Sequence, residues 1–236
     1  MSPLGRPRVH HRLTDSTNER AKELARAGAT HGTAVTADEQ TAGRGRQGRA
    51  WTATPGGALL MSVVLRDVKE LVPLAAAVAV CEAAEAIAPV ECRVKWPNDV
   101  WIDRRKLAGI LVEGRPQEGW AVLGVGINVG EQQFPEELAG TATSLALESL
   151  GASRWSLGVV LDALLLALER RLTEPPERVL EAWRERDALR GSQISWRDGE
   201  GTAAGVDDTG ALLVDTRTGR VTLHAGEVHL DSSPSD

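Results

Sequence analysis

The sequence predicts an α+β fold, in which a mixed β-sheet with helices is followed by a small all-β domain. Helical and strand-like segments are interspersed up to about residue 188. Beyond that point, short β-like segments follow one another at even spacing between tight turns, which is typical of a small barrel. A length of 236 residues fits one large domain or two unequal ones. We therefore predict a first domain over 1–188 and a second over 189–236.

Composition narrows the class of protein. The chain is 42% hydrophobic and 25% charged, which is ordinary for a soluble globular protein. Its net charge of −6 disfavours a protein that coats nucleic acid by bulk positive charge. Cys81 and Cys92 stand apart from any metal-ligand pattern and are expected to be small buried hydrophobes in a reducing compartment. No signal peptide is evident, and the longest apolar stretch, 71–81, is too short to span a bilayer. We expect a cytoplasmic protein without a membrane partner.

The first elements are predicted from capping and apolar patterning. Residues 14–28 favour a helix, because Ser16 and Glu19 have the spacing of a capping box and an apolar stripe follows. A short strand is predicted over 33–37. Residues 38–57 are polar and rich in Gly and Arg, and we expect them to form a long loop. Long loops in compact domains are usually functional or disordered.

The later elements follow in a compact order. We predict a strand over 58–65, an Ala- and Leu-rich helix over 71–87, and a tight turn at 103–106 that indicates a hairpin. Strands are predicted at 93–96, 100–102, 106–113 and 120–129. Two helices are predicted at 155–172 and 176–189, with Pro176 in the first turn of the second. The β-like segments after Gly191 are 193–196, 202–206, 211–215, 221–224 and 227–230.

The Arg-rich part of the loop, 43–51, reads GRGRQGRAW and contains G-x-G-x-x-G. We reject a dinucleotide fold, because that fingerprint needs an apolar strand before it and a helix after it. Glycines let a backbone approach a ligand closely, and Arg44, Arg46 and Arg49 supply permanent cations suited to phosphate. The segment therefore indicates a flexible anion clamp. The alternative is a solvated basic loop of the kind found in RNA-binding segments.

Two further segments carry isolated cations. Lys95 ends a predicted strand before the turn that contains Asn98 and Asp99, and such a carboxylate and amide suit Mg²⁺ held through water and phosphate. An ordinary Pro-Asn-Asp turn is the alternative. Lys106 begins an otherwise apolar strand, where it can hold a carboxylate or phosphate oxygen, and Gly109 inside that strand indicates a bulge or a close ligand. The alternative for Lys106 is a solvated strand end.

The remaining candidates are a Gly-rich strand and a helix start. Gly124 and Gly126 weaken a buried strand but suit a flat ligand lying against the backbone, unless they serve a close helix–sheet contact. Asn128 on this apolar strand needs a polar partner. The segment 15–18, DSTN, fits helix capping, although hydroxyls at a helix N-terminus can also bind a polar ligand group.

Taken together and in this order, these segments resemble the catalytic domain of the biotin protein ligase family. The matching segments are DSTN (15–18), EQTAGRGRQGRAW (39–51), KWPNDV (95–100), KLAGILVEG (106–114) and GVGINV (124–129). The resemblance covers about 10–130, and the β-rich tail from about residue 190 fits the SH3-like domain of the same family. Gln47 stands where many relatives carry a basic residue.

The resemblance implies ATP-dependent biotinylation of one lysine on a biotin carboxyl carrier protein, through biotinyl-5′-AMP. The implied biotin-binding residues are Ser16, Thr17, Asn18, Gln40, Gly43, Arg44, Gly45, Arg46, Lys106, Gly109, Gly124 and Gly126. The implied ATP-binding residues are Arg44, Arg46, Arg49, Trp51, Lys95, Asn98, Asp99 and Asn128. The implied catalytic residues are Lys106, Arg46 and Asp99, with Mg²⁺ meeting Asp99 and Asn128 through water or phosphate.

Some relatives carry an N-terminal helix-turn-helix repressor domain, whereas here DSTN begins at residue 15, so we expect no operator binding. We expect a monomer or a weak homodimer. The alternatives are a lipoate–protein ligase and a nucleic-acid or partner-binding module that uses the Arg loop. The net charge of −6 and the absence of aromatic residues among the arginines argue against the binding module.

Overall fold

The computed structural model describes residues 3–66, 68, 70–149 and 156–230, which form two β-sheets and the helices that cover them. The first sheet has seven strands. In chain order they are β1 (Arg8–His11), β2 (Ala34–Ala37), β3 (Ala58–Arg66), β4 (Arg93–Lys95), β5 (Asp99–Ile102), β6 (Arg105–Arg115) and β7 (Trp120–Asn128). Their order across the sheet is β1-β2-β3-β7-β6-β5-β4. Only β1 and β2 run parallel, so the predicted mixed sheet is confirmed.

Helices cover both faces of this sheet. In chain order they are α1 (Thr17–Arg26), α2 (Val72–Ile87), α3 (Leu145–Glu148), α4 (Leu157–Thr173) and α5 (Pro176–Glu185). Strand side chains alternate between faces, so Leu123 joins the large core with α2 and α4, whereas Val122 joins a smaller core with α1. The N-terminal end of α1 lies over β3 and β7, which places its first polar residues beside the glycines of β7.

The second sheet has five antiparallel strands and confirms the predicted all-β region. They are β8 (Gln193–Trp196), β9 (Gly199–Val206), β10 (Leu212–Thr216), β11 (Gly219–Leu223) and β12 (Val228–Leu230), arranged as β11-β10-β9-β8-β12. Residues of this second sheet share the large hydrophobic core with the first, and polar contacts also join the two parts of the chain. Trp96 Nε1 donates a buried 3.0 Å hydrogen bond to the carbonyl of Gly210, and residues 226–230 return to the first sheet's open end.

The structure corrects several predicted boundaries. The second of the paired helices ends at Glu185 rather than 189, because Arg186 and Ala188 form backbone hydrogen bonds of 2.7 and 2.9 Å with Val94 on the edge of the first sheet. The first of the pair runs over Leu157–Thr173, and residue 155 lies outside the described residues. Strand β9 begins at Gly199 rather than 202. We propose that the domain boundary lies in the linker between α5 and β8.

Two elements were not predicted at all. Strand β1 is an exposed edge strand whose sequence, RVHH, lacks apolar alternation, and only its pairing with β2 makes it a strand. Helix α3 has four residues and is too short for a periodic signal. The predicted hairpin turn is confirmed, since Asp103 and Arg104 both adopt positive φ between β5 and β6.

Cys81 and Cys92 are buried, as expected, and form no disulfide with each other, and burial raises the pKa of the Cys81 thiol. Within the described ranges, no helix has the length and apolar character needed to cross a bilayer.

Candidate active site

A cavity of about 630 Å³ opens between the start of α1, the Arg-rich loop, strands β5 to β7 and the end of the second sheet. It brings together all but one of the residues that the sequence singled out. Those that line it are Ser16, Thr17, Asn18, Gln40, Arg44, Gly45, Arg46, Arg49, Trp51, Lys95, Asn98, Asp99, Lys106, Gly109, Gly124, Gly126 and Asn128. The exception, Gly43, is buried within the loop and does not line the cavity.

The Arg-rich loop is folded as a small hairpin over 43–51. The amide of Trp51 donates to the carbonyl of Gly43 at 3.0 Å, and the amide of Gly45 donates to the carbonyl of Arg49 at 2.7 Å. A side chain on Gly43 would place its Cβ 2.3 Å from the Trp51 carbonyl oxygen, so the hairpin stem needs glycine there. Gly43 therefore shapes the hairpin from outside the cavity.

Each arginine of the hairpin has a different partner. Arg44 Nη1 lies 2.5 Å from Glu19 Oε1 on α1. Arg46 Nη1 donates to Asn98 Oδ1 at 3.3 Å. Arg49 pairs with Glu227, which reaches it from the second sheet. The hairpin is thus held from three directions, and its three cations converge on one cavity.

The start of α1 is capped differently from the prediction. The Ser16 side chain makes no capping hydrogen bond, so the predicted capping box with Glu19 is wrong. Instead, Gln40 reaches across from the loop, and its Oε1 accepts from the backbone amide of Thr17 at 2.7 Å and from its hydroxyl at 3.1 Å. Since Gln40 satisfies the helix end, the Ser16 hydroxyl is left to face the cavity.

Asn18 anchors a buried polar cluster beside Thr17. Its Nδ2 donates to Glu113 Oε2 at 2.9 Å, and Ser62 Oγ lies 2.6 Å from its Oδ1 and 2.8 Å from Thr17 Oγ1. Burial acts to raise the pKa of Glu113, but hydrogen bonds from Asn18 and Lys22 leave that pKa below its usual value. Thr17, Asn18 and Ser62 therefore form a fixed array of uncharged donors and acceptors around one side of the cavity, and the Glu113 carboxylate supports Asn18 from outside the cavity lining.

Two lysines line the opposite side. Lys106 Nζ lies 2.8 Å from Asp99 Oδ1 and 5.7 Å from the centre of the Trp51 ring. Lys95 Nζ lies 5.1 Å from the Trp101 ring centre, and burial lowers the pKa of Lys95. Neither lysine is a freely solvated strand end, because each is held against an aromatic face.

The glycines of β6 and β7 admit close neighbours. A Cβ on Gly126 would lie 2.5 Å from Trp51 Cε2, and one on Gly109 would lie 3.0 Å from Trp51 Cζ3. A Cβ on Gly124 would lie 2.1 Å from Asn18 Oδ1. The glycines of these two strands therefore make room for contacts within the chain. The Trp51 indole packs against the backbone of both strands, and the Asn18 amide packs against the backbone of β7.

Asn128 finds the polar partner that its apolar strand requires. Its Nδ2 donates to the carbonyl of Thr143 at 2.9 Å and lies 3.4 Å from the carbonyl of Lys106. In the part of the chain that the structure describes, no group of three or more His, Cys, Asp or Glu side chains could hold a metal ion. A metal here would need further oxygens from a ligand.

Sequence reasoning missed several residues of this cavity. Glu113 and Ser62 support Asn18, and Glu227 with its neighbours closes the wall beside Arg49. Phe134, Leu138 and Thr141 add a wall beyond β7. Glu227 lies in a short turn of the second sheet. Its neighbours in the sequence give no indication that it pairs with Arg49, which lies far earlier in the chain.

Comparison with known proteins places this architecture in a family. Residues 10–130 match the model of the biotin/lipoate A/B protein ligase family, and residues 194–231 match that of the biotin protein ligase C-terminal domain. The Bacillus subtilis bifunctional ligase/repressor BirA is 35% identical over 96% of this chain and 75% of its own. The Mycobacterium tuberculosis biotin–[acetyl-CoA-carboxylase] ligase is 36% identical over 91% of this chain and 85% of its own.

A solved structure agrees with the sequence relatives. The Aquifex aeolicus biotin protein ligase in complex with biotin and ATP has a TM-score of 0.86 and 29% identity, covering 97% of this chain and 100% of that one. Since the family model matches just over half of the chain and these sequence relatives are matched over most of their length, this chain belongs to the biotin/lipoate A/B protein ligase family and carries the C-terminal domain of biotin protein ligases.

Proposed function

We propose that this protein attaches biotin to a lysine of a biotin carboxyl carrier protein, using ATP and passing through biotinyl-5′-AMP. The observation that carries the proposal is the composition of one cavity, in which Lys106 and three arginines surround a space bordered by the uncharged polar cluster at α1. Relatives named biotin–[acetyl-CoA-carboxylase] ligase support this substrate class.

The first step brings two anions together. A biotin carboxylate oxygen attacks the α-phosphorus of ATP, a new P–O bond forms, and the bond to pyrophosphate breaks. Negative charge accumulates at the α-phosphate, so fixed cations stabilise the transition state more than the separate substrates. Lys106 is the central candidate, because it lines the cavity and its ammonium lies beside both Asp99 and the Trp51 ring. Arg46 would add a second cation, and Arg44 and Arg49 would close over the product.

The biotin end of the cavity is proposed at α1. The uncharged ureido group needs both donors and acceptors, which Ser16, Thr17, Asn18 and Gln40 provide in a preorganised array. Gly45 would keep the backbone close to the ligand, and Gly43 supports the hairpin. Gly109, Gly124 and Gly126 would act by making room for the Trp51 and Asn18 side chains, which line the cavity. The apolar side chains of β6 would wall the ring and acyl chain.

The nucleotide end is proposed at β4 and β5. Lys95, Asn98 and Trp51 would border the adenylate, with Arg49 near the phosphates. Asp99 and Asn128 offer one carboxylate and one amide oxygen, which fits Mg²⁺ that is already bound to ATP phosphates. Such an ion would neutralise part of the phosphate charge.

In the second step the amine of the carrier lysine attacks the acyl carbon, and AMP leaves with its phosphate oxygen. The amine must lose a proton as the new amide bond forms. We propose Asp99 as the acceptor of that proton, since its carboxylate lines the cavity beside Lys106. We also propose a cytoplasmic location, a monomer or weak homodimer, and no nucleic-acid partner.

Intact mass spectrometry of a carrier domain mixed with the protein, biotin and Mg²⁺-ATP tests the proposal. We expect one added biotinyl group that requires ATP, is lost in Lys106→Ala and is retained in Arg197→Ala, an exposed control. Transfer of lipoate instead of biotin would show that the protein is a lipoate–protein ligase. The absence of both biotin binding and transfer would contradict the proposal.

A further inference from the structure

The first arginine of the hairpin is held by a carboxylate outside the cavity lining. Glu19 lies on the first turn of α1, and its Oε1 is 2.5 Å from Arg44 Nη1 and 2.6 Å from Lys22 Nζ. The Glu19 side chain is 23% exposed, whereas that of Arg44 is 50% exposed. A partly buried carboxylate oxygen thus lies within ion-pair distance of two cations, of which Arg44 is the more exposed.

Glu19 is itself fixed by its neighbours. Lys22 Nζ also lies 3.2 Å from Glu113 Oε1, and Glu113 accepts from Asn18 Nδ2 at 2.9 Å. The Lys22 side chain is 12% exposed, so this bridge is largely shielded from solvent. The chain of contacts therefore runs from the polar cluster, through Glu113 and Lys22, to Glu19 and the hairpin.

A long arginine side chain has many rotamers, and an arginine that must meet a ligand anion in one orientation loses that freedom on binding. A carboxylate that already restricts the guanidinium reduces this loss. The same carboxylate repels a nearby anion, but that repulsion acts over a longer distance and is screened by solvent and salt. The two effects change the affinity for the ligand anion in opposite directions. Removing the carboxylate weakens binding if positioning dominates and strengthens binding if repulsion dominates, so the direction of the change distinguishes the two effects.

We propose that Glu19 is a positioning residue that holds Arg44 over the biotin end of the cavity and links the hairpin to the Asn18 cluster. The proposal rests on the proposed function of Arg44 in binding biotin. It assigns to Glu19 no contact with substrate.

The test compares Glu19→Gln with Glu23→Gln in the full-length protein. Both residues lie on α1, but the Glu23 side chain is 54% exposed. Among the described residues, its only ion-pair partner is Arg20. The first readout is limited trypsin digestion followed by intact mass measurement, because Arg44, Arg46 and Arg49 are all cleavage sites. We expect cleavage after Arg44 to become about five- to tenfold faster in Glu19→Gln and to stay unchanged in Glu23→Gln.

The second readout is steady-state biotinylation of the carrier domain. In Glu19→Gln we expect the biotin KM to rise about fivefold or more with kcat changed less than twofold, the pattern of lost ground-state positioning. Lys22→Gln should shift both readouts in the same direction by a smaller factor. A lower biotin KM would mean that Glu19 acts only as a competing anion, and unchanged trypsin cleavage would mean that it does not hold Arg44. Either result overturns the proposal.

Arg44→Ala separates this proposal from the proposed function. If that variant keeps the wild-type biotin KM while Glu19→Gln still accelerates cleavage, Arg44 has no role toward biotin and the proposed function of Arg44 has failed. If Arg44→Ala raises the biotin KM and Glu19→Gln leaves it unchanged, only the positioning role of Glu19 has failed. Thermal unfolding of each variant identifies any general loss of fold.

Discussion

Arg49 and Glu227 form an ion pair across 178 positions of the chain, joining the Arg-rich hairpin of the first sheet to the turn before the last strand of the second. The hydrogen bond from Arg49 lowers the pKa of Glu227. The second sheet therefore supplies a charged group to the wall of the candidate site, in addition to the buried contact between Trp96 and Gly210.

Glu227→Gln should release Arg49 from the second sheet. We expect the ATP KM to rise about fivefold, equivalent to about 1 kcal/mol, because a cation placed near the proposed phosphates loses its fixed position. Glu200→Gln, an exposed carboxylate on β9, is the matched control. Steady-state kinetics at saturating biotin measures both. Equal ATP KM values for Glu227→Gln, the control and the wild type would contradict a role for the pair.

Arg46→Gly should loosen retention of the adenylate. The guanidinium reaches into the cavity and donates to Asn98, so its removal opens the hairpin over a reactive mixed anhydride. We expect biotin to appear on bystander lysines, measured by mass spectrometry of an added inert protein. Arg197→Ala should label the carrier alone. A variant that turns over ATP normally and still modifies only the carrier would show that retention does not depend on Arg46.

Gly124→Ala should damage the polar cluster at α1. The new Cβ would lie 2.1 Å from Asn18 Oδ1, so Asn18 must leave its contacts with Ser62 and Glu113. We expect a loss of about 1–3 kcal/mol in the free energy of unfolding, as for other overpacked sites. The biotin KM should rise about tenfold or more, since roughly 1.4 kcal/mol of lost binding is a factor of ten.

The control for this substitution is Gly130→Ala, just beyond the same strand. Its Cβ would have no neighbour closer than 3.9 Å among the described residues, so we expect both the unfolding free energy and the biotin KM to stay near wild type. Chemical denaturation and steady-state kinetics measure the two quantities. If the two alanine variants behaved alike, steric displacement of Asn18 would not be the cause.

Glu82→Gln should reduce stability in a pH-dependent way. Glu82 on α2 pairs with Arg170 and Arg171 on α4, and although burial acts to raise its pKa, these arginines lower it below the ordinary value of 4.5. A carboxyl group with a lowered pKa in the folded state stabilises the protein above its unfolded pKa. That contribution is lost as the pH falls through the folded pKa.

We therefore expect Glu82→Gln to cost about 2 kcal/mol in the free energy of unfolding at neutral pH. The substitution removes the largely buried negative charge that pairs with the two arginines, and the arginines then have no opposite charge at that position. The difference from wild type should shrink as the pH falls below 4.5. Glu181→Gln, at an exposed pair with Arg178, should cost far less. Denaturant unfolding across this pH range measures the difference, and a constant difference would refute the linkage.

The sequence by itself determined the class of fold and most of the residues that line the cavity. Local signals sufficed for β3, β6 and β7, whose sequences are mainly apolar, and for α2, whose composition is helical. The same signals located the cavity's cations, because Arg44, Arg46, Arg49, Lys95 and Lys106 stand in short segments with unusual neighbours. The resemblance of these segments in order then pointed to one family.

The tertiary structure decided which of these residues meet and what holds them. It replaced the expected Ser16 cap with Gln40, set Trp51 and Asn18 against the glycines of β7, and paired Arg44 with Glu19 and Arg49 with Glu227. It also ended α5 early, because the chain after Glu185 pairs with the edge of the first sheet. Strand and helix preferences act over neighbouring residues, whereas these contacts join groups tens of residues or more apart, and only packing brings such groups within hydrogen-bonding distance.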